Sequence, residues 1–306
     1  MKKIVICGAT GMVGSRLTKQ LHAKGHRLIL VGREPAKIHQ RFPFDVEAVS
    51  WNGLSSIDAA EVGHVINLSG AGAGDARWTN AHKALMRDSR LRTTRDCVTL
   101  CGRNPAIRLI NASAVSAYGF YSGDHLPFAE ADRDKRSGTC YLQELADEWE
   151  ETALDAKASG NGVVLLRIGF VLDHARGGLP KMAQPYRFFI GGPAGSGEQI
   201  VSWIGLSDLV NGIEFIVQNL EIDGPVNLVS PGSCSQKEFS SALGKALGKP
   251  SFLRTPSWMI KTLLGQMGEE LVLTGQRVVP QRLLQAGFVF KDDEIGALLM
   301  KLYQDR

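Results

Sequence analysis

The stretch Ile4-Val5-Ile6-Cys7-Gly8-Ala9-Thr10-Gly11-Met12-Val13-Gly14-Ser15-Arg16-Leu17 constrains this chain more than any other part of it. A short apolar run leads into glycines spaced G-x-x-G-x-x-G, and an amphipathic helical pattern follows. The run reads as a buried parallel strand, the glycines as a tight turn, and the remainder as the first turns of a helix. Glycine takes up positive φ without a Cβ clash and lets the backbone approach a phosphate closely. The helix N-terminus then presents unbonded N–H groups and partial positive charge to that anion. Gly8, Ala9, Thr10, Gly11, Met12, Val13 and Gly14 are therefore expected to form a dinucleotide-binding loop. A glycine triplet alone is weak evidence; this one stands inside a complete strand–turn–helix–strand unit.

The second strand, over 26–31, ends at Gly32-Arg33, roughly 20 residues past the last glycine. Dinucleotide-binding folds place an acid there for a free ribose 2′-hydroxyl, or an arginine for a 2′-phosphate. No Asp or Glu closes this strand, and Glu34 comes one residue late. Arg33 thus favours NADP, with NAD the lesser alternative.

Composition narrows the remaining classes. A chain of 306 residues can bury one large core or two modest ones. Its net charge is a mild +4, with no basic run and no basic strip interleaved with aromatics, so no nucleic-acid partner is expected. No apolar run approaches the ~20 residues needed to cross a bilayer. The first residues enter a strand without the apolar segment of a secretory signal, so a cytoplasmic location away from the membrane is expected. The five cysteines (Cys7, Cys97, Cys101, Cys140, Cys234) are scattered and read as reduced core thiols. Of the seven histidines only His22 and His26 stand four apart, with no Cys, Asp or Glu beside them to complete a ligand set, and no metal site is expected.

The first half alternates short apolar strands with helical segments, the pattern of an α/β, Rossmann-type, doubly wound parallel sheet. Strands are predicted at 3–7, 27–31, 47–50, 64–68, 108–112 and 163–168, and helices at about 12–24, 80–102 and 139–159. Beyond Ile168 the alternation weakens: 177–197 is rich in glycine and proline. A strand and helix over 202–218 and a strand at 225–229 follow, then helices at 235–247 and 257–264 and a compact turn and strand over 280–290. This organisation predicts an NADP-binding domain over 1–168, rejoined by about 200–230. A smaller interleaved cap that holds substrate would comprise 169–199 and 231–306. Ligands of such folds lie in the crevice at the carboxyl ends of the strands.

With these motifs the sequence resembles the extended short-chain dehydrogenase/reductase superfamily. Gly8-x-x-Gly11-x-x-Gly14 is similar to its cofactor loop. Asn67-Leu68-Ser69-Gly70 is similar to the end of its fourth strand, which flanks the nicotinamide ribose, and Ser113-Ala114-Val115-Ser116-Ala117-Tyr118-Gly119 to the serine-bearing end of its fifth. The resemblance makes Leu68, Ser69, Gly70 and Ala112 expected cofactor contacts. It is closer to one atypical branch, the epimerase-family proteins often named sugar-nucleotide epimerases, which carry a small C-terminal domain of unknown function. The motifs that carry this include Arg77-Trp78-Thr79, Ser89-Arg90, Leu166-Arg167-Ile168-Gly169-Phe170-Val171-Leu172, Gly191-Gly192-Pro193-Ala194-Gly195-Ser196-Gly197 and Gly275-Gln276-Arg277-Val278-Val279-Pro280. Gly205 departs from the branch, which usually has histidine there.

Catalysis in the superfamily rests on a serine, a tyrosine and a lysine, the last two as Y-x-x-x-K one helical turn apart. Here Tyr141-Leu142-Gln143-Glu144-Leu145 supplies the tyrosine, and Leu145 occupies the lysine position. An unperturbed phenol has a pKa near 10, so ionising it at pH 7 costs about 4 kcal/mol, and leucine offers no charge to offset that. Lys135, Arg136 and Lys181 are cations that could reach in. Tyr141, Leu145, Trp149 and Ala153 also recur as the apolar stripe of a packed helix, so Tyr141 reads as a packing residue ahead of a catalytic one. Ser113 is the first candidate for polarising a substrate oxygen, with Ser116 its rival and Tyr118 a second phenol. Gly191–Gly197 is a candidate diphosphate wrap, and Arg167 and Arg187 are candidate anion contacts. Two readings follow. One is an NADP-dependent oxidoreductase or epimerase, dehydratase-like in type. Its substrate would be a sugar nucleotide or another small polar alcohol or carbonyl compound. The other is a catalytically degenerate NADP(H)-binding sensor or partner-binding protein. A homodimer through helix 80–102 is expected by analogy alone.

Overall fold

The computed structural model describes residues 2–135 and 140–304. In chain order its elements are β1 (Lys3–Cys7), α1 (Met12–Ala23), β2 (Leu28–Gly32), α2 (Pro35–Arg41), β3 (Glu47–Ser50), β4 (Val62–Asn67), α3 (Asn80–Cys101), β5 (Arg108–Ala114), α4 (Tyr141–Leu154) and β6 (Val163–Ile168). There follow β7 (Phe170–Leu172), α5 (Leu179–Arg187), β8 (Ile200–Val201), β9 (Trp203–Gly205), α6 (Leu206–Gln218), β10 (Gly224–Leu228), β11 (Cys234–Ser235), α7 (Gln236–Leu247), α8 (Ser257–Leu264), α9 (Gln266–Leu271), α10 (Gln281–Gln285) and α11 (Ile295–Tyr303).

Seven strands form one sheet in the order β3-β2-β1-β4-β5-β6-β10, and every pairing in it is parallel. Strands covered on both faces read as continuous apolar runs, as Ile4–Cys7 and Leu28–Val31 do. The period of two sorts their side chains. Ile4, Ile6, Leu28 and Leu30 face α1 and α6, against Leu17, Leu21, Leu209 and Ile213. Val5, Cys7, Ile29 and Val31 face α3 and the end of α4, against Cys97, Leu100, Cys101 and Ala153. Each such side chain withdrawn from water contributes roughly 1.5–3 kcal/mol. The chain orders β1-α1-β2 and β4-α3-β5 put successive helices on opposite faces, which leaves a crevice at the strand ends where the order reverses, beside β1 and β4.

A second core sits beyond that crevice. Leu179, Tyr186, Trp203, Phe239, Leu243, Leu298 and Leu299 bring α5, α7, β9 and α11 together. Ser235 caps α7 reciprocally with Glu238, and Gly248 ends it in the left-handed conformation. Helix α6 returns to pack on α1, and β10 extends the large sheet as an edge strand beside β6. The structure also holds helices that the sequence pattern does not predict, among them α2, α9 and α11, and two further stretches differ from it in kind. Residues 280–290 hold the short helix α10 rather than a strand, because Pro280 opens a run of good helix formers that Gly287 closes at φ +84°. The glycine- and proline-rich segment after Gly177 contains α5, with a proline in its first turn, where its missing N–H costs nothing.

Candidate functional site

The β1–α1 turn is closed so tightly that side chains are excluded from it. Gly8 has φ +80°, and a Cβ there would stand 2.8 Å from the carbonyl carbon of Leu68. A Cβ on Gly14 would stand 2.2 Å from the Gly8 oxygen. The Gly11 N–H donates to Gly8 O at 3.0 Å, and the Leu68 N–H to Cys7 O at 3.0 Å, so the turn rides directly on the end of β4. Helix α1 begins there with no side-chain cap and no acidic residue in its first turn, leaving its N-terminal amides for an anion. Ala9 is buried, Thr10 and Gly11 are exposed, and Met12 and Val13 lie between. At the end of β4 the Ser69 N–H donates to Asn67 Oδ1 at 3.1 Å, while the Ser69 hydroxyl is buried without a partner among the described residues. Arg33 is exposed at the end of β2 and makes no hydrogen bond or ion pair with a described residue, whereas Glu34 beside it is taken by Lys37 at 2.7 Å. A glycine cradle, an orphaned hydroxyl and an unpaired arginine, set along one crevice, fit a dinucleotide with a 2′-phosphate. Ala112 is set back from this line, packed in β5 against Leu91 and Trp149.

From Met12 a cavity of about 630 Å³ runs past the ends of β5 and β6 to α5, α7 and α9. Its wall is mostly apolar. Ser116, Leu145, Trp149, Phe170, Phe239 and Arg90 all contribute to it, and Gly70 stands beside Arg90. Of the two rival serines, the one on this wall is Ser116, whose hydroxyl donates to Leu142 O at 3.1 Å. Leu145 presents its apolar side chain to the cavity. Glu270 closes the opening of α4 from α9: its carboxylate accepts the N–H groups of Tyr141 and Leu142 at 3.2 and 2.9 Å.

Ser113 lies behind the wall. It is 3 % exposed, and its hydroxyl donates to Glu150 Oε1 at 2.7 Å. Glu150 in turn holds Arg167 through Nε at 2.8 Å and Nη2 at 2.9 Å, and Arg167 Nη1 reaches the Tyr118 hydroxyl at 2.9 Å. Tyr118 donates to Asn227 Oδ1 at 2.8 Å. Burial works to lower the Arg167 pKa, but the bonds and charge of Glu150, then Tyr118, outweigh it and leave the guanidinium above its usual value. Arg167 is therefore spent on internal partners and is corrected from the anion contacts expected above. Burial pushes the Tyr118 phenol up. Tyr141 turns its phenol onto α3, donating to Lys83 O at 2.6 Å with its ring edge-on to Trp78. Burial raises the Tyr141 pKa, and Arg90 and Arg87 partly oppose that. The hydroxyls of Ser113 and Tyr141 are thus engaged by different elements, Glu150 of α4 and Lys83 of α3.

The loop expected to wrap a diphosphate is corrected in the same way. The Ala194, Gly195 and Gly197 amides are consumed by Gln236, Thr255 O and Ala194 O. Arg187 is exposed at the end of α5. Lys181 donates to Gly74 O at 2.5 Å, while Arg136 and the Lys135 side chain lie outside the described residues. Sequence reasoning missed Glu150, which falls among the polar positions of its amphipathic helix, and gave Glu270 no reading. Arg90 stood in a quoted motif with no role attached. Among the described residues no group of three or more potential metal ligands occurs, and no helix is long and apolar enough to cross a membrane.

Residues 4–172 match the NAD dependent epimerase/dehydratase family, and 255–302 match a domain of unknown function (DUF1731). Epimerase family protein ML0860 of Mycobacterium leprae is 35% identical over 97% of this chain and 94% of its own. A chloroplastic epimerase family protein of Arabidopsis thaliana, the SDR39U1 homolog, is 36% identical over 98% of this chain and 86% of its own. The crystal structure of human epimerase family protein SDR39U1 with NADPH superposes with a TM-score of 0.86 at 27% identity, covering 99% of this chain and 100% of that one. The UDP-glucose 4-epimerase of Thermus thermophilus, crystallised with NAD, shares the fold at a TM-score of 0.74 and 14% identity, covering 99% of each chain. A closed glycine turn on a parallel seven-stranded sheet, matched along the whole chain by these relatives, places the protein in the NAD-dependent epimerase/dehydratase family, within the extended short-chain dehydrogenase/reductases.

Proposed function

We propose that this protein binds NADP(H) and acts as an oxidoreductase or epimerase on a small alcohol or carbonyl compound held in the cavity above β5 and β6. The observation that carries this is the crevice itself. A turn that admits no Cβ at Gly8 or Gly14 opens at one end toward the unpaired Arg33 and at the other into a cavity of about 630 Å³. The NADPH in the crystal structure of the human relative supports the same choice of cofactor.

When bound, the dinucleotide supplies hydride transfer. The chain's own residues do the rest. Gly8–Gly14 and the N-terminal amides of α1 hold the pyrophosphate, Arg33 grips the 2′-phosphate, and Leu68, Ser69 and Gly70 flank the nicotinamide ribose. Ser116, on the cavity wall, donates to the substrate oxygen by giving up its bond to Leu142 O, and Ser113 acts from behind by fixing Glu150. A proton carried by Tyr141 requires its phenol to give up Lys83 O. Apolar walls around Leu145 and Phe170 exclude water from the reacting carbon. The substrate class extends to sugar nucleotides, since a structural neighbour, MoeE5, is seen with UDP-glucose and NAD.

The test is NADPH formation or consumption with a panel of sugar nucleotides, alcohols and aldehydes, with stereochemical inversion followed in parallel for an epimerase that returns its hydride. No turnover with any of them alongside tight NADPH binding refutes catalysis. A second reading, a redox sensor, draws on Leu145 at the lysine position and on the Tyr141–Lys83 bond. It requires a partner whose affinity differs between the NADP and NADPH forms, and equal capture by both forms refutes it.

A further inference from the structure

Arg90 is the cation on the cavity wall. It projects from α3, and its Nη1 donates to Ala71 O at 2.9 Å and Met86 O at 3.0 Å. Nε and Nη2 have no hydrogen bond to a described residue, and no carboxylate among the described residues pairs with it. Its guanidinium lies over Trp149, 4.9 Å from the ring centroid, one turn of α4 beyond Leu145. Gly70 makes room for it: a Cβ there would stand 3.1 Å from Arg90 Cγ and 3.3 Å from Cζ. Burial pulls its pKa down to about 10, and the Tyr141 phenol is the one group that opposes this. Arg90 is half-buried, and a cation partly withdrawn from water without a counter-charge is costly and persists where a ligand brings the anion.

We propose that Arg90 is an anion-binding residue that supplies at the nicotinamide end of the crevice the positive charge which Leu145 does not. This rests on the NADP(H) reading of the crevice. The ligand group is a phosphate or carboxylate oxygen, met by the guanidinium edge that Nε and Nη2 leave free. That oxygen has two sources: the nicotinamide-side phosphate of the dinucleotide, or an acidic group on the substrate. Either one neutralises Arg90 only when the site is filled, so ligand binding and charge balance are coupled.

The experiment is calorimetric titration of the wild type, Arg90→Met and Arg90→Gln with NADPH and with 2′,5′-ADP, which carries only the adenosine half. Inorganic phosphate is then titrated into NADPH-saturated protein. With the dinucleotide as source, NADPH weakens by about 30-fold or more in both variants while 2′,5′-ADP stays within about twofold. With the substrate as source, NADPH affinity is unchanged and phosphate binding to the saturated wild type disappears in the variants. Wild type that binds no NADPH refutes the parent reading. Wild type that binds it, with both titrations unchanged in the variants, overturns the Arg90 assignment alone. A parallel loss of 2′,5′-ADP also overturns it, since that marks a structural role. Adding Leu145→Lys to Arg90→Met returns a cation to the motif position and is expected to restore part of the lost NADPH affinity.

Discussion

Glu150→Gln tests how the buried network behind the cavity works. Glu150 is fully buried and takes Ser113 Oγ at 2.7 Å, Arg167 Nε at 2.8 Å and Arg167 Nη2 at 2.9 Å. The amide preserves shape but removes the charge and turns one acceptor into a donor. Arg167, with its side chain 3% exposed, then faces that donor without a counter-charge. Removing one partner of a buried pair costs about 3–5 kcal/mol. Nη1 keeps Tyr118 Oη at 2.9 Å and Glu130 O at 3.2 Å, which sets the expectation near the lower end, about 3 kcal/mol. Domain stabilities are roughly 5–15 kcal/mol, so this is a large fraction. With m of about 2–3 kcal/mol/M, the urea midpoint should fall by about 1 M. Replacing Glu150 and Arg167 together by methionine should recover much of the loss, because no orphan charge remains. A midpoint shift below about 0.2 M for Glu150→Gln would refute the reasoning. It would mean that Arg167 and Ser113 are free to serve a ligand.

Further outcomes follow from other parts of the molecule. Gly14→Ala places a Cβ 2.2 Å from the Gly8 oxygen, so NADPH binding should fall by about 100-fold or more in a fluorescence titration, with retained affinity as the contrary result. Ser116→Ala should lower turnover with little loss of stability, whereas Ser113→Ala should cost about 1–2 kcal/mol in a urea melt through its lost bond to Glu150; the reverse pattern would reassign the two serines. His64 in β4 is held neutral, its pKa lowered to about 4 by burial, then by Arg108 and His26. The unfolded chain therefore binds a proton that the folded one does not, and stability is full above about pH 6.5 and falls as pH drops toward 4, by up to about 3 kcal/mol. His64→Leu should flatten that part of the stability–pH curve, and an unchanged slope would exclude His64 as its cause.

The glycine turn and most strands were legible because they rest on short-range rules. Glycine spacing fixes the turn, and a continuous apolar run fixes a strand buried on both faces. The catalytic side was not legible. Ser113 ends an apolar strand as a cleft serine should, but the strand continues two residues further, and the pleat turns Ser113 onto Glu150 and leaves Ser116 for the cavity. Glu150 looked like helix surface because Arg167, its partner in β6, is distant in sequence. Glu270 acts on the start of α4 from α9, far along the chain. Tyr141 was open between proton transfer and packing, and its phenol reaches a backbone carbonyl of α3 that no local pattern announces. Arg90 needed the fold to bring β4's end, α3 and α4 around one wall.

The most direct test is a calorimetric comparison of NADPH and NADH on wild type and Arg33→Ala. Wild type should bind NADPH more tightly, and loss of the Arg33 guanidinium should weaken NADPH by about 30-fold while NADH changes little. A protein that takes up neither nucleotide at millimolar concentration, or an Arg33→Ala variant that weakens both equally, would contradict the account.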